Sequence, residues 1–148
     1  MITREFITAG RAIFTVSNNK GDRYTFQVTK KEANGQYPAV WFVALLTGPD
    51  NNTDYTYVGM LSADTGGVNL TRKSRFNDQS TPVRVLRWAL RNVWNNQEFP
   101  AGYAIRHEGK CGRCGRRLTV PESIDSGIGP ECAKMMGHST KQLELTLV

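Results

Sequence analysis

The sequence predicts an α+β chain in which an antiparallel β-meander carries one packed amphipathic helix and is followed by a small cysteine-rich module. Three observations predict it. Alternating apolar runs separated by turn clusters fill residues 12–61, the period becomes helical from Ser80, and all three cysteines fall between Cys111 and Cys132. The chain divides on this reading into an α+β sheet-and-helix domain at 1–103 and a metal-binding module at 104–148 packed on it, the two forming either separate units or one continuous domain.

The elements follow in order. Phe14 and Val16, then Tyr24, Phe26 and Val28, alternate on either side of the turn cluster Asn18-Asn19-Lys20-Gly21-Asp22, which makes Ala12 to Thr29 a β-hairpin. Lys30 to Pro38 is a polar connector. Val40 to Leu46 is continuously apolar and reads as a central strand buried on both faces. Gly48 to Asn52 is a turn, and Tyr55 to Leu61 the returning strand. Phe14, Tyr24, Phe26, Trp41 and Phe42 are expected in the core, whereas Tyr55, Tyr57 and Phe76 are candidates for stacking on bases. Thr81 caps a helix with Pro82 at its first position, and Val83, Leu86, Leu90 and Val93 recur at helical spacing through Trp94. A short strand near Tyr103 to Arg106 leads into the module.

Inside the module Cys111 and Cys114 form a C-x-x-C knuckle flanked by Gly112 and Gly115, a turn that places two thiolates on one side of a tight loop. Arg117 to Val120 reads as a short strand stopped by Pro121. Gly129 and Pro130 then open a helix that Gly137 ends, with Cys132 in its first turn, where free N–H groups favour a thiolate. Knuckle, hairpin and ligand-bearing helix follow the order of a treble-clef-like zinc module. Zinc requires a fourth ligand, and Met135, three residues past Cys132, is a poor one. His107 gives H-x3-C-x2-C-x17-C and is preferred for its short local spacing; His138, six residues past Cys132, is the alternative. Three thiolates and a histidine close the site, so one structural Zn2+ is expected.

The run CGRCGRRLTVPESIDSGIGPECA resembles a small cysteine module of unknown function common in bacteriophage and plasmid proteins and also appended to some bacterial helicase-like proteins. Upstream, WFVALLTGPDNNTDYTYVG and TRKSRF are similar to whole phage proteins ending in that module. The resemblance implies a phage or mobile-element origin and a histidine preceding the knuckle, which favours His107; it implies no particular activity.

A length of 148 residues suits one sizeable core, and 39% hydrophobic with 22% charged residues is a globular composition. No apolar run approaches membrane-spanning length and Met1 to Gly10 has no signal-peptide core, so a cytoplasmic protein of the bacterial host cell is expected, where three cysteines argue for metal over disulfides. Charge is uneven. Met1 to Leu70 balances six basic against six acidic residues, whereas Thr71 to Arg91 holds six basic and one acidic. Arg72, Lys73 and Arg75, followed by Arg84, Arg87 and Arg91 on one helix stripe, form one basic cluster; Lys110, Arg113, Arg116 and Arg117 around the knuckle form a second. Arginines on the outer stripe of a helix are ordinarily its solvated face, and one cation near the knuckle serves to neutralise the thiolates. Together the two clusters exceed those needs and point to phosphates.

The expected function is therefore that of a phage or mobile-element accessory protein binding DNA or RNA through the basic helix and knuckle. The alternative is an inhibitor that docks on a host nucleic-acid-processing or defence protein, as an anti-CRISPR or nuclease inhibitor does. No membrane and no small-molecule substrate is expected. An enzyme is not expected, because a closed zinc site lacks a water position, no phosphate loop, nucleophile elbow or H-E-x-x-H pattern occurs, and Asp50, Asp54 and Asp64 sit in turn contexts.

Overall fold

A computed structural model describes residues 2–118 and 121–136. Its centre is a six-stranded antiparallel sheet in the order β5-β4-β3-β2-β1-β6, formed by β1 (Arg11–Asn18), β2 (Arg23–Lys31), β3 (Val40–Leu46), β4 (Tyr55–Leu61), β5 (Val68–Asn69) and β6 (Tyr103–His107). The first five strands run as a meander in chain order, and β6 returns to pair with the free edge of β1. Among the described residues four helices accompany it: α1 (Arg4–Ile7), α2 (Thr81–Trp94), α3 (Pro121–Ser126) and α4 (Pro130–Met135).

Strand parity decides the two faces. Phe14 opposes Phe26, Phe26 opposes Leu45, and Val28 opposes Val43, so these residues share the inner face and are buried. The helix α2 packs onto that face with Val83, Leu86, Ala89, Leu90 and Val93, all in one core cluster with the strand residues. Its side is set by sequence, because those five positions recur at helical spacing. Two differences from the expected pattern have a simple cause. The strand β3 is buried on one face only: Val43 and Leu45 point into the core, while Phe42 and Ala44, of opposite parity, are half-buried on the outer face. A continuous apolar run marks a strand covered on both sides only where a second layer exists, and α2 covers one side. Phe42 is accordingly not a core residue. The helix also starts one residue earlier than expected, with Ser80 as N-cap and Pro82 within the first turn. The Oγ of Ser80 does not cap the helix; it accepts from Asn77 N–H at 3.1 Å.

Packing of β5 depends on Gly59, where a Cβ would lie 2.5 Å from Asn69 O. The strand β5 is tied to α2 by Arg87, which donates to Val68 O, and Trp94 closes the far end of the helix, its Nε1–H donating to Ala63 O at 3.0 Å. No helix among the described residues is long and apolar enough to cross a membrane.

Candidate metal centre and basic surface

Residues following β6 turn back on themselves to make the knuckle. Leu118 N–H donates to Gly109 O at 2.8 Å, Cys111 N–H to Arg116 O at 2.7 Å and Gly115 N–H to Cys111 O at 2.9 Å, with Gly115 at φ +79°. This tight loop puts Cys111 and Cys114 side by side. Of the expected strand at Arg117 to Val120 the described residues show the bridge between Arg117 and Lys110; Thr119 and Val120 lie outside them. Pro121 opens α3, its fixed φ suiting a first helical position. Gly129 is the N-cap of α4, so Cys132 sits in the first turn as expected.

The three sulfur atoms lie within 4.8 Å of one another. A tetrahedral zinc at its usual Zn–S length sets thiolates about 3.8 Å apart, so closing on a metal takes movements of about an ångström or less. All three cysteines are free thiols, and Cys111 and Cys132 are buried. Burial alone would push the Cys111 thiol up, but N–H groups of Gly129, Cys114 and Arg113 and the Cys114 side chain outweigh it and bring the value down to about 7. Burial raises the Cys132 thiol, and the guanidinium of Arg113, its Nη1 3.5 Å from Sγ, offsets only part of the rise. Three soft sulfurs so placed, with the Cys111 thiol drawn down, fit a thiophilic metal ion.

The expected fourth ligands fare differently. His107, at the end of β6, has both ring nitrogens occupied: Gly109 N–H donates to Nδ1 at 2.9 Å, which makes Nε2 the protonated nitrogen donating to Ile124 O. Its ring also stands 5.7 Å from that of Phe6. The cluster of candidate metal ligands therefore comprises Cys111, Cys114 and Cys132 without His107 among the described residues. Met135 is 70% exposed and its Sδ accepts from Arg113 Nη1 at 3.4 Å. His138 and Gly137 lie outside the described residues.

Sequence inspection missed the residue that seats this module. Phe6, on the four-residue α1, is fully buried, and a Cβ added at Gly112 would lie 2.7 Å from its Cδ1. At Gly127 a Cβ would meet the same ring. Main-chain bonds complete the seat: Arg11 N–H donates to Gly112 O at 2.6 Å and Gly112 N–H to Gly127 O at 2.7 Å. The only signal in the sequence was the pair of glycines, silent about which ring they accommodate.

The ten cationic residues divide sharply. Arg87 is committed to the fold, its Nη2 donating to Val68 O at 2.8 Å and its Nη1 pairing with Asp78 at 2.7 Å. Lys110 reaches Asn52 at 3.2 Å, Arg113 is held by the sulfurs, and Arg116 approaches Glu131 at 3.9 Å. By contrast Arg72, Lys73, Arg75, Arg84 and Arg91 are exposed, and their side chains have no ion-pair partner among the described residues; neither has Arg117. The first three stand on a turn in which Thr71 N–H donates to Ser74 Oγ at 2.8 Å. Together with Phe42, Tyr57 and Ser74 they line an open groove on the outer face of the sheet. Asp50 and Asp54 shape the β3–β4 turn, accepting from Asn52 N–H and Asp50 N–H at 2.8 and 2.9 Å.

Residues 104–137 match a family model described as "Family of unknown function (DUF6011)". The match begins within β6 and runs through the knuckle and α4, the segment that carries all three thiols. No curated protein and no solved structure matches the chain.

Proposed function

We propose that this chain is a nucleic-acid-binding accessory protein of a phage or other mobile element, in which a treble-clef-like module at the C-terminal end holds one structural Zn2+. The observation that carries the nucleic-acid reading is the set of exposed cations Arg72, Lys73, Arg75, Arg84 and Arg91, which have no carboxylate partner among the described residues. Phosphate is the counter-ion such a surface fits. The mobile-element origin rests on the resemblance of residues 111–133, and the cytoplasm of the bacterial host is the compartment in which three free thiols stay reduced.

In the metal site Cys111, Cys114 and Cys132 supply three ligands. With both nitrogens of His107 engaged by backbone, the fourth ligand falls to His138. A filled structural site of this kind positions the module and leaves no position for water, so no reaction is assigned to it.

A titration of the metal-loaded protein against duplex DNA, single-stranded DNA and RNA at about 50 and 200 mM salt tests the binding. Steeply salt-dependent binding that weakens in Arg84→Glu and Arg91→Glu is expected; absence of binding at the lower salt refutes the reading. Metal content of His107→Ala and His138→Ala decides the fourth ligand. Loss of zinc in the first variant and retention in the second would return that role to His107.

A further inference from the structure

Two neighbouring aromatic rings on the outer face of the sheet are not accounted for by core packing. Phe42 on β3 and Tyr57 on β4 face away from α2, are half-buried, and stand with ring centroids 6.2 Å apart at 59°. Beside them runs the cationic turn at 71–75. Both components are fixed in place: Thr71 Oγ1–H donates to Tyr57 OH at 3.2 Å, Arg75 N–H to Tyr57 O at 3.3 Å and Ser74 N–H to Thr71 O at 3.0 Å. The groove thus has an aromatic floor on a rigid sheet and a rim of Arg72, Lys73 and Arg75.

We propose that this groove is a binding site for unpaired, single-stranded nucleic acid, with bases stacked on Phe42 and Tyr57 and the sugar–phosphate backbone along Arg72, Lys73 and Arg75. This rests on the nucleic-acid reading and names the class of ligand and the place. The choice of a single strand follows from the floor. An aromatic face stacks only on a base whose own face is free, and in a duplex those faces are buried against neighbouring pairs. A duplex phosphate backbone would engage the rim and leave both rings unused. Because the rings are tilted against each other, they serve two successive bases rather than clamp one, and stacking of this kind tolerates any base.

The test is fluorescence anisotropy of the intact, metal-loaded protein with a labelled oligothymidylate and with a duplex of equal length, for the parent protein, Phe42→Leu, Tyr57→Leu and Arg72→Glu. Thermal melts verify that each variant is folded. The single strand is expected to bind at least about tenfold more tightly than the duplex. Each leucine variant is expected to weaken it by about 5- to 150-fold while leaving the salt dependence unchanged. Arg72→Glu is expected to lower the slope of log K against log salt by about 0.7 or more. Photo-crosslinking of a bromouridine-substituted strand should map to the peptides containing Phe42 or Tyr57, a readout that a purely structural role would not produce. Equal affinity for duplex and single strand, with folded leucine variants unimpaired, would overturn the groove assignment and leave nucleic-acid binding to Arg84 and Arg91. Displacement of the oligonucleotide by polyglutamate at equal charge concentration would reassign the groove to an acidic protein partner. Absence of binding to any nucleic acid would overturn both the assignment and the reading it rests on.

Discussion

The seat of the cysteine module against α1 makes a quantitative prediction. Gly112 has an ordinary backbone conformation, so alanine there carries no left-handed penalty; its Cβ would sit 2.7 and 2.8 Å from Cδ1 and Cε1 of Phe6 and 3.0 Å from Phe6 O. Overpacking of that kind costs about 1–3 kcal/mol. For a chain of 148 residues, at about 2–4 °C per kcal/mol, the melting temperature of Gly112→Ala should fall by about 2–12 °C. Phe6→Ala, which empties a fully buried site, should cost about 3–5 kcal/mol on its own. The double variant relieves the clash with the ring, leaving only the contact with the carbonyl oxygen. Its loss should be smaller than the sum of the two by about 0.5–2 kcal/mol. Thermal or denaturant unfolding of the four proteins measures the coupling, and zinc content of the same samples separates a packing defect from a lost metal. Additivity within about 0.5 kcal/mol would mean that Phe6 is not lodged against the knuckle.

Three further outcomes are expected. Arg87→Ala should lose about 1–3 kcal/mol of stability because Val68 O and Asp78 lose their donor, whereas Arg84→Ala and Arg91→Ala should stay within about 0.5 kcal/mol; equal effects in denaturant titrations would remove the distinction between committed and free cations. Gly66→Ala should destabilise markedly, since φ is +74° and the new Cβ would lie 2.6 Å from the Trp94 indole; an unchanged melting temperature would contradict the packing there. Metal uptake should weaken at low pH. The folded Cys111 thiol titrates at about 7, below its ordinary value, so its thiolate contribution is complete above the unfolded value and is lost as pH falls through 7. Below that point each pH unit should remove about one further decade of apparent affinity, and a chelator-competition series lacking this extra steepening would refute the assignment.

Much of the architecture was legible because local patterns and tertiary demands agree. The hairpin at 12–29 and the helix at 81–94 announce themselves by periods of two and 3.6, and Gly129-Pro130 marks the helix that presents Cys132. What was not legible has identifiable physical causes. A four-residue α1 is too short to show a period, and its importance lies in one ring that reaches a segment more than a hundred residues away. Two-residue β5 is held by its contact with Gly59 and by Arg87, neither a local signal. Phe42 looked like core because an unbroken apolar run conceals its parity; only the pairing with β2 shows that Val43 faces inward and Phe42 outward. The arginine stripe of α2 divides for a similar reason, since nothing in the spacing of Arg84, Arg87 and Arg91 says that the middle one bends toward a strand carbonyl.

Placement of the candidate metal centre relative to the groove also bears on what the proposed metal would do. The module joins the sheet at β6 and β1, through the Arg11–Gly112 bond and Phe6, whereas the groove is built from β3, β4 and the turn after β5, toward the opposite edge. Among the described residues one hydrogen bond runs from the knuckle toward the groove's strands, Lys110 Nζ to Asn52 Oδ1 at 3.2 Å, and it ends on the β3–β4 turn rather than on the groove. An exposed bond of that kind transmits little. Phe6, by contrast, belongs to the same core cluster as Cys111, Cys132, Leu118 and the inner residues of β1 and β2. Loss of metal should therefore act on the fold through the core, loosening the β1–β6 edge first, and reach the groove only when the sheet itself fails. The zinc proposed for this chain is on that ground a folding element, and the nucleic-acid recognition proposed for it falls to the sheet face and its cationic turn.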